Sequence, residues 1–266
     1  MRAASIRRGV RSGAVAGLRL LPSPGTTPFT FWYLGLLALT TVLLHYGRPV
    51  AVHRLLALSS TDAANLERHP VRVLFLSALW LQDAHWLLYA TVFTIVLAPL
   101  ERRIGSWRTV LVFACGHVLA SLATELPVLW AVRGHLLPAG DAHLLDVGVS
   151  YGLCAAAGAL LLLVPAPGRW WALAGLGAVI VAVYLLSGPA STESVVTVVG
   201  HALSLGTGML GWLRWARRRG LIGSLRRPYP RTADPTTVLT PARTPNGYKT
   251  EKSQSSPSRV PYLRVQ

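Results

Sequence analysis

Six long apolar runs constrain this chain more than any other feature of its sequence. Each run approaches the roughly 17–25 residues that a helix needs to cross the hydrocarbon core of a bilayer. A helix satisfies its own backbone polar groups, as the bilayer interior requires. The sequence therefore predicts an all-α polytopic membrane protein, a bundle of six transmembrane helices. The runs are Phe29–Tyr46, Ala84–Leu100, Thr109–Val132, Asp146–Val164, Trp170–Ser187 and Val195–Trp212.

Composition supports a membrane protein. Hydrophobic residues make up 52% of the chain and charged residues 14%, whereas soluble domains carry about 25% charged residues. This balance excludes a disordered chain and disfavours a soluble enzyme. The formal net charge of +16 is typical of nucleic-acid-binding proteins when taken alone, but the basic residues flank the apolar runs. We therefore expect no nucleic-acid partner.

The chain divides into three regions. Residues 1–28 hold five arginines and no acid, and the apolar run that follows is too long for a signal-peptide core of roughly 7–15 residues. We interpret 1–28 as a basic cytoplasmic segment, with an organelle transit peptide as the alternative. Residues 29–213 form the membrane domain. Residues 214–266 are predicted to be a basic, disordered cytoplasmic tail, because they are rich in Pro, Ser, Thr and Arg.

Arginine placement predicts the orientation. With six spans, 21 of the 26 basic residues fall on the side of the two termini, so the positive-inside rule places both termini in the cytoplasm of a plasma-membrane protein. An arginine cluster after the last span is expected to contact anionic lipids, with a regulatory protein partner as the alternative. The cluster consists of Arg214, Arg217, Arg218 and Arg219. The short apolar stretch Leu74–Leu81 is expected to be re-entrant or interfacial.

Polar groups inside spans are costly and often mark function. Ser150 and His201 lie four and six residues into the fourth and sixth runs, which corresponds to depths of about 6 and 9 Å. His85 lies at the outer end of the second run, with Tyr89 one turn further in. These potential catalytic groups therefore share one leaflet. A lone histidine in a span is more often structural, and we interpret His117 in this way.

The fourth and sixth runs are suited to close helix packing. Gly148 and Gly152 are four residues apart and share a face in a helix, and His201 and Gly208 likewise fall on one face. Small residues let membrane helices approach closely. If the two faces meet, Ser150 and His201 come within hydrogen-bonding distance, and a neighbouring base activates a serine nucleophile.

These residues resemble the rhomboid family of intramembrane serine proteases. The segment Gly148–Gly152 is similar to the family's G-x-S-G element, and His201 followed by Gly208 resembles its H-x-x-G-x-x-x-G element on the sixth helix. Leu100–Gly105, with Glu101 and Gly105, resembles the L-E-x-x-x-G element, and His85 stands where the family often begins H-x-x-x-N. The resemblance extends from about Leu74 to Trp212.

The resemblance implies roles for individual residues. Ser150 would be the nucleophile and His201 the general base, while the Ser150 backbone N–H, His85 and Tyr89 would bind the oxyanion. Four positions depart from the family pattern. Tyr89 stands in place of an Asn, Tyr151 in place of a Gly, Cys154 in place of an aromatic residue and Ser204 in place of a Gly.

The sequence leaves two functions open. By resemblance, the chain is an intramembrane serine endopeptidase that cleaves transmembrane segments near the outer leaflet. The alternative is a non-catalytic rhomboid-like protein that binds transmembrane helices of client proteins. A transporter is a distant third, because the inverted repeat often seen in transporters is not recognisable. No cofactor or metal is expected, since Cys115 and Cys154 both lie inside apolar runs.

Overall fold

The computed structural model describes residues 21–81, 85–186 and 191–226, which fold into helices and contain no strand. All of these residues belong to one compact unit, Met1–Pro228. Most of the predicted basic segment 1–28 and most of the predicted tail 214–266 lie outside the described residues. The helices are α1 Pro28–Tyr46, α2 Pro49–Ser59, α3 Ala63–Arg68, α4 Pro70–Leu76, α5 Trp86–Ile104, α6 Ser106–Arg133, α7 Ser150–Leu163, α8 Gly168–Leu186, α9 Thr192–Gly211 and α10 Leu213–Arg218.

Each of the six apolar runs forms a helix, namely α1, α5, α6, α7, α8 and α9. The predicted all-α membrane bundle is therefore confirmed. Four helices are long and apolar enough to cross a bilayer: α1, α6, α8 and the continuous stretch Thr192–Arg218 that joins α9 and α10. The other two differ. Helix α5 has 19 residues but ends in charged side chains, and α7 has only 14.

Helix α7 is the central element of the bundle, packed against α5, α6 and α9. Its 14 residues extend only about 21 Å, less than the roughly 30 Å of a bilayer core. Ala155 and Ala156 are fully buried. The non-helical backbone before this short helix is hydrogen bonded within the protein, since the Gly148 N–H bonds to the Ser77 carbonyl.

Small residues bring α9 against α7. A Cβ on Gly208 would overlap the backbone carbonyl of Ala155, and one on Gly158 would overlap the carbonyl of Leu205. The backbones approach closely because these glycines lack side chains. The predicted meeting of the two helices therefore occurs, with Gly208 at the contact.

The predicted glycine face on α7 is wrong. Gly148 precedes the helix and has a φ of +141°, a conformation that favours glycine. Gly152 faces α6 instead of α9, because a Cβ there would overlap the ring of Phe113. Gly116 of α6 approaches Ala155 in the same way, so α7 makes close contacts on two sides.

The connection between α1 and α5 folds against α6. The stretch Leu74–Leu81 consists of the end of α4, a 3₁₀ turn at Ser77–Leu79 and the buried residues Trp80 and Leu81. His117 of α6 holds it, because its Nε2 lies 3.0 Å from the Leu74 carbonyl oxygen and 3.1 Å from Ser77 Oγ. His117 is thus structural, as predicted.

Glu101 links the end of α5 to the start of α1. Its buried carboxylate accepts hydrogen bonds from the backbone N–H groups of Phe29 (2.8 Å) and Thr30 (2.9 Å) and from Thr30 Oγ1 (2.6 Å). The first N–H groups of a helix lack intrahelical acceptors, and a negative charge there is favourable. Gly105, with φ +84°, then turns the chain from α5 into α6.

Candidate active site

Ser150 is the first residue of α7 and is half-buried. The prediction that it lies four residues inside a helix is wrong, because residues 146–149 are not helical. Gly148 donates its backbone N–H to the Ser77 carbonyl (2.9 Å), so the 3₁₀ turn beside α6 fixes the entry to α7. The Ser150 N–H belongs to the first turn, where backbone donors have no intrahelical acceptor.

A second set of hydrogen bonds fixes the chain four residues before Ser150. Thr61 donates its N–H to the Asp146 carbonyl (2.8 Å) and its hydroxyl to Asp146 Oδ2 (2.8 Å). Asp146 in turn donates its N–H to Ser60 Oγ (3.0 Å). Burial raises the pKa of Asp146, and nearby Asp62 acts in the same direction, while the bond from Thr61 acts to lower it. These contacts explain why α7 starts after Asp146.

His201 lies on α9 and is half-buried. Its Nδ1 is 2.6 Å from the carbonyl oxygen of Thr197. A carbonyl only accepts hydrogen bonds, so Nδ1 carries the proton of the neutral ring and Nε2 keeps its lone pair. His201 is therefore held in the tautomer in which Nε2 is the basic nitrogen.

Tyr151 contacts His201 directly. The two ring centroids are 5.2 Å apart and the rings are inclined by 72°, an edge-to-face arrangement. A Cβ on Gly200 would overlap the phenol ring, and the Tyr151 hydroxyl donates to the Val196 carbonyl at 3.4 Å. Tyr151 thus supplies the aromatic contact to the imidazole that Cys154 lacks. The sequence analysis did not predict this role, although Gly200 next to His201 indicates that a bulky side chain packs closely there.

The structure brings the elements that carry Ser150 and His201 together without joining the two side chains. Ser204 of α9 donates a hydrogen bond to the backbone carbonyl of Tyr151, which ties the first turn of α7 to α9. Among the described residues His201 bonds to the Thr197 carbonyl, and no hydrogen bond links it to Ser150. The contact between the two positions runs through Tyr151, the residue next to Ser150.

The residues assigned to the oxyanion lie on α5. His85 is the N-cap of α5 and is exposed, and it lines a cavity of about 490 Å³ with Trp86, Leu87 and Leu88. Tyr89 is half-buried and packs against the hydrophobic core. Within the described part of the chain, His85 makes no hydrogen bond to Ser150. The Ser150 N–H, in the first turn of α7, is a backbone donor without an intrahelical acceptor.

The remaining site predictions have distinct places in the fold. Glu101 and Gly105 hold the α1, α5 and α6 ends together, and Gly208 lies at the α7–α9 contact. Residues 21–81, 85–186 and 191–226 contain no group of three or more His, Cys, Asp or Glu side chains placed to hold a metal ion.

Comparison with known protein families gives a match over most of the chain. Residues 24–216, which include every described helix up to the middle of α10, match the model of a family described as rhomboid-like protein. No curated protein and no solved structure matches the chain. The matched region contains Ser150, His201 and the glycine contacts that pack α7 against α6 and α9. This membrane-embedded helical bundle is therefore a member of the rhomboid-like protein family.

Proposed function

We propose that the protein is an intramembrane serine endopeptidase that uses Ser150 and His201 to cleave transmembrane segments of other membrane proteins near the outer leaflet. The observation that carries this proposal is the pairing of α7 and α9. Ser150 begins α7, while His201 on the contacting helix has its Nδ1 committed to Thr197 and its Nε2 available as a base.

The chemistry follows from these two side chains. As Ser150 Oγ attacks the scissile carbonyl carbon, His201 Nε2 takes the hydroxyl proton. The resulting oxyanion meets the Ser150 N–H at the positive end of α7, where donors and the helix dipole favour negative charge. Collapse of the intermediate breaks the C–N bond, and His201 returns the proton to the leaving amine. Water, activated by the same base, then hydrolyses the acyl-enzyme.

A reconstituted cleavage assay tests the proposal. The full chain is inserted into vesicles with a reporter whose transmembrane helix contains helix-breaking residues near its outer end. We expect cleavage by the natural chain and none by Ser150→Ala. Ser121→Ala is the matched control, because Ser121 is fully buried on α6 and its hydroxyl has no hydrogen-bond partner among the described residues. Cleavage by Ser150→Ala, or loss of cleavage in Ser121→Ala alone, would contradict the assignment.

A second candidate function is a non-catalytic protein that binds client transmembrane helices. The position of Tyr151 favours it, because the phenol ring occupies the space beside His201 and Ser150 is not hydrogen bonded to the imidazole in the described structure. Under this function, natural chain and Ser150→Ala capture the same membrane proteins, and neither yields a shortened product.

We also propose that the protein resides in the plasma membrane with both termini in the cytoplasm. The excess of basic residues on the terminal side of the six helices supports this orientation. In this arrangement Ser150 and the loop that precedes α7 face the outer side.

A further inference from the structure

Three arginines from three different elements converge on one cavity at the membrane face where α5 ends and α6 begins. The cavity has a volume of about 210 Å³. It lies on the side opposite to the loop that precedes Ser150, so it is separate from the candidate active site. We call it the arginine pocket. Its lining residues are Arg103, Ile104, Arg108, Trp215, Arg219 and Leu221.

The walls of the arginine pocket are held in place by contacts of their own. Arg108 lies over the ring of Trp215, with its guanidinium carbon 5.3 Å from the ring centroid, and it donates to the Ile104 carbonyl at 3.1 Å. Arg103 donates to the Leu225 carbonyl at 2.8 Å. Two guanidinium groups are therefore fixed beside one cavity, unlike arginines that simply extend from a helix into headgroups.

The charge of the pocket is strongly positive. No acidic side chain lines it, and within the described residues Arg108 and Arg219 take part in no salt bridge. The 28-residue helix α6 begins at Ser106, just before Arg108, so the positive end of its dipole adds to the charge near the pocket. Guanidinium groups bind phosphate through paired N–H donors. Arginines held around one cavity are therefore suited to a phosphate group.

We propose that the arginine pocket binds a phosphate group, carried by an anionic phospholipid or free in solution. The bound group fastens α10, which carries Trp215 and is followed by Arg219, to the turn between α5 and α6. Because α10 follows α9 directly, this attachment fixes the inner end of the helix that carries His201. The proposal does not depend on catalysis by Ser150.

The test uses the full chain purified in a neutral detergent. Its unfolding temperature is measured while phosphatidylglycerol, phosphatidylcholine or inorganic phosphate is added. We expect saturable stabilisation that 0.5 M salt suppresses, because screening weakens exposed charge interactions. Stabilisation by phosphatidylglycerol alone identifies a lipid headgroup as the source, and stabilisation by inorganic phosphate identifies a free anion. Stabilisation by neither, or equally by phosphatidylcholine, would overturn the proposal.

Two double variants locate the binding site. Arg108→Gln/Arg219→Gln removes two pocket arginines, and Arg54→Gln/Arg72→Gln removes the same charge from exposed positions of α2 and α4 outside the pocket. About 1 kcal/mol for each arginine near a membrane surface corresponds to about fivefold in affinity. We expect the pocket pair to weaken binding about 25-fold and the control pair far less.

Equal losses in the two double variants would show diffuse attraction to the surface and would overturn the site. Should the Arg108→Gln change impair folding, Arg219→Gln alone is informative. Arg219 is exposed, and no side-chain hydrogen bond of Arg219 occurs in the described residues. Its expected loss is about fivefold, and unchanged binding in this variant would contradict the proposal.

Discussion

At the scale of single residues, Tyr151 is the side chain that contacts the candidate base His201 most directly. Its ring lies edge-to-face against His201 and fills the space above Gly200. For chemistry at Ser150, the ring either orients the imidazole or obstructs the approach of Ser150 to the base. Single substitutions distinguish these consequences.

Replacement of Tyr151 tests whether its ring orients the imidazole. Tyr151→Phe keeps the ring and loses only the long 3.4 Å hydrogen bond to Val196, so we expect turnover within a few-fold of the natural chain. Tyr151→Leu removes an aromatic contact of about 0.5–1.5 kcal/mol, and we expect roughly tenfold slower cleavage of the reporter. Faster cleavage by Tyr151→Leu would show that the ring obstructs the site.

Glu101 makes contacts in the structure that its sequence motif does not indicate, because its carboxylate binds the start of α1. Gln in its place retains only one acceptor oxygen for the N–H groups of Phe29 and Thr30. Hydrogen bonds to a charged group contribute about 1.5–3 kcal/mol, so we expect Glu101→Gln to lower the unfolding free energy by about 2 kcal/mol. Denaturation in detergent measures this free energy of unfolding.

Glu67→Gln is the control, because Glu67 pairs with Arg133 at the exposed surface and such pairs contribute little. Equal losses would contradict the role of Glu101.

At the scale of elements, the sequence predicts the six helices, but it does not predict where α7 begins or which helix Gly152 contacts. Apolar length alone is enough to place α1, α5, α6, α7, α8 and α9. The start of α7 was predicted four residues early, because Asp146 and Gly148 are held by Thr61 and Ser77. Contacts between residues far apart in the chain are not visible in a local pattern. Gly152 is assigned to the wrong neighbour for the same reason, because its contact is with Phe113 of another helix.

The packing of α7 against α9 can be tested with two glycines of one helix. At Gly208 a new methyl group would overlap the carbonyl of Ala155, whereas at Gly206 it would meet nothing within 4 Å. We expect Gly208→Ala to destabilise the protein by about 1–3 kcal/mol, as overpacking does. Gly206→Ala is expected to be neutral or stabilising by up to about 1 kcal/mol. Thermal unfolding of the two variants compares them, and similar unfolding temperatures would contradict the tight contact.

At the scale of the whole molecule, charge and hydropathy together predicted the membrane class and the bundle, which the family match and the helices confirm. Neither property predicted the contact geometry of the candidate site. Under the proposed orientation, with cytoplasmic termini, the arginine pocket lies on the inner face and the loop before Ser150 on the outer face. The orientation therefore connects both proposals.

Cysteine labelling tests the orientation. The chain has only two cysteines, Cys115 and Cys154, so alanine at both positions gives a suitable background. We expect Glu67→Cys to react with a membrane-impermeant maleimide in intact cells and Arg214→Cys to react only after permeabilisation. Both original side chains are exposed, so access to each position depends on the side of the membrane. The reverse pattern would contradict cytoplasmic termini.

The most direct test of the central claim is the identification of the residue that a fluorophosphonate modifies. The full chain in detergent is treated with the probe and digested, and the adduct is located by mass spectrometry. The account predicts an adduct on Ser150 that requires His201, so that His201→Ala lowers labelling by roughly 10³-fold or more. An adduct on another serine, or labelling of Ser150 that is unchanged in His201→Ala, would contradict it.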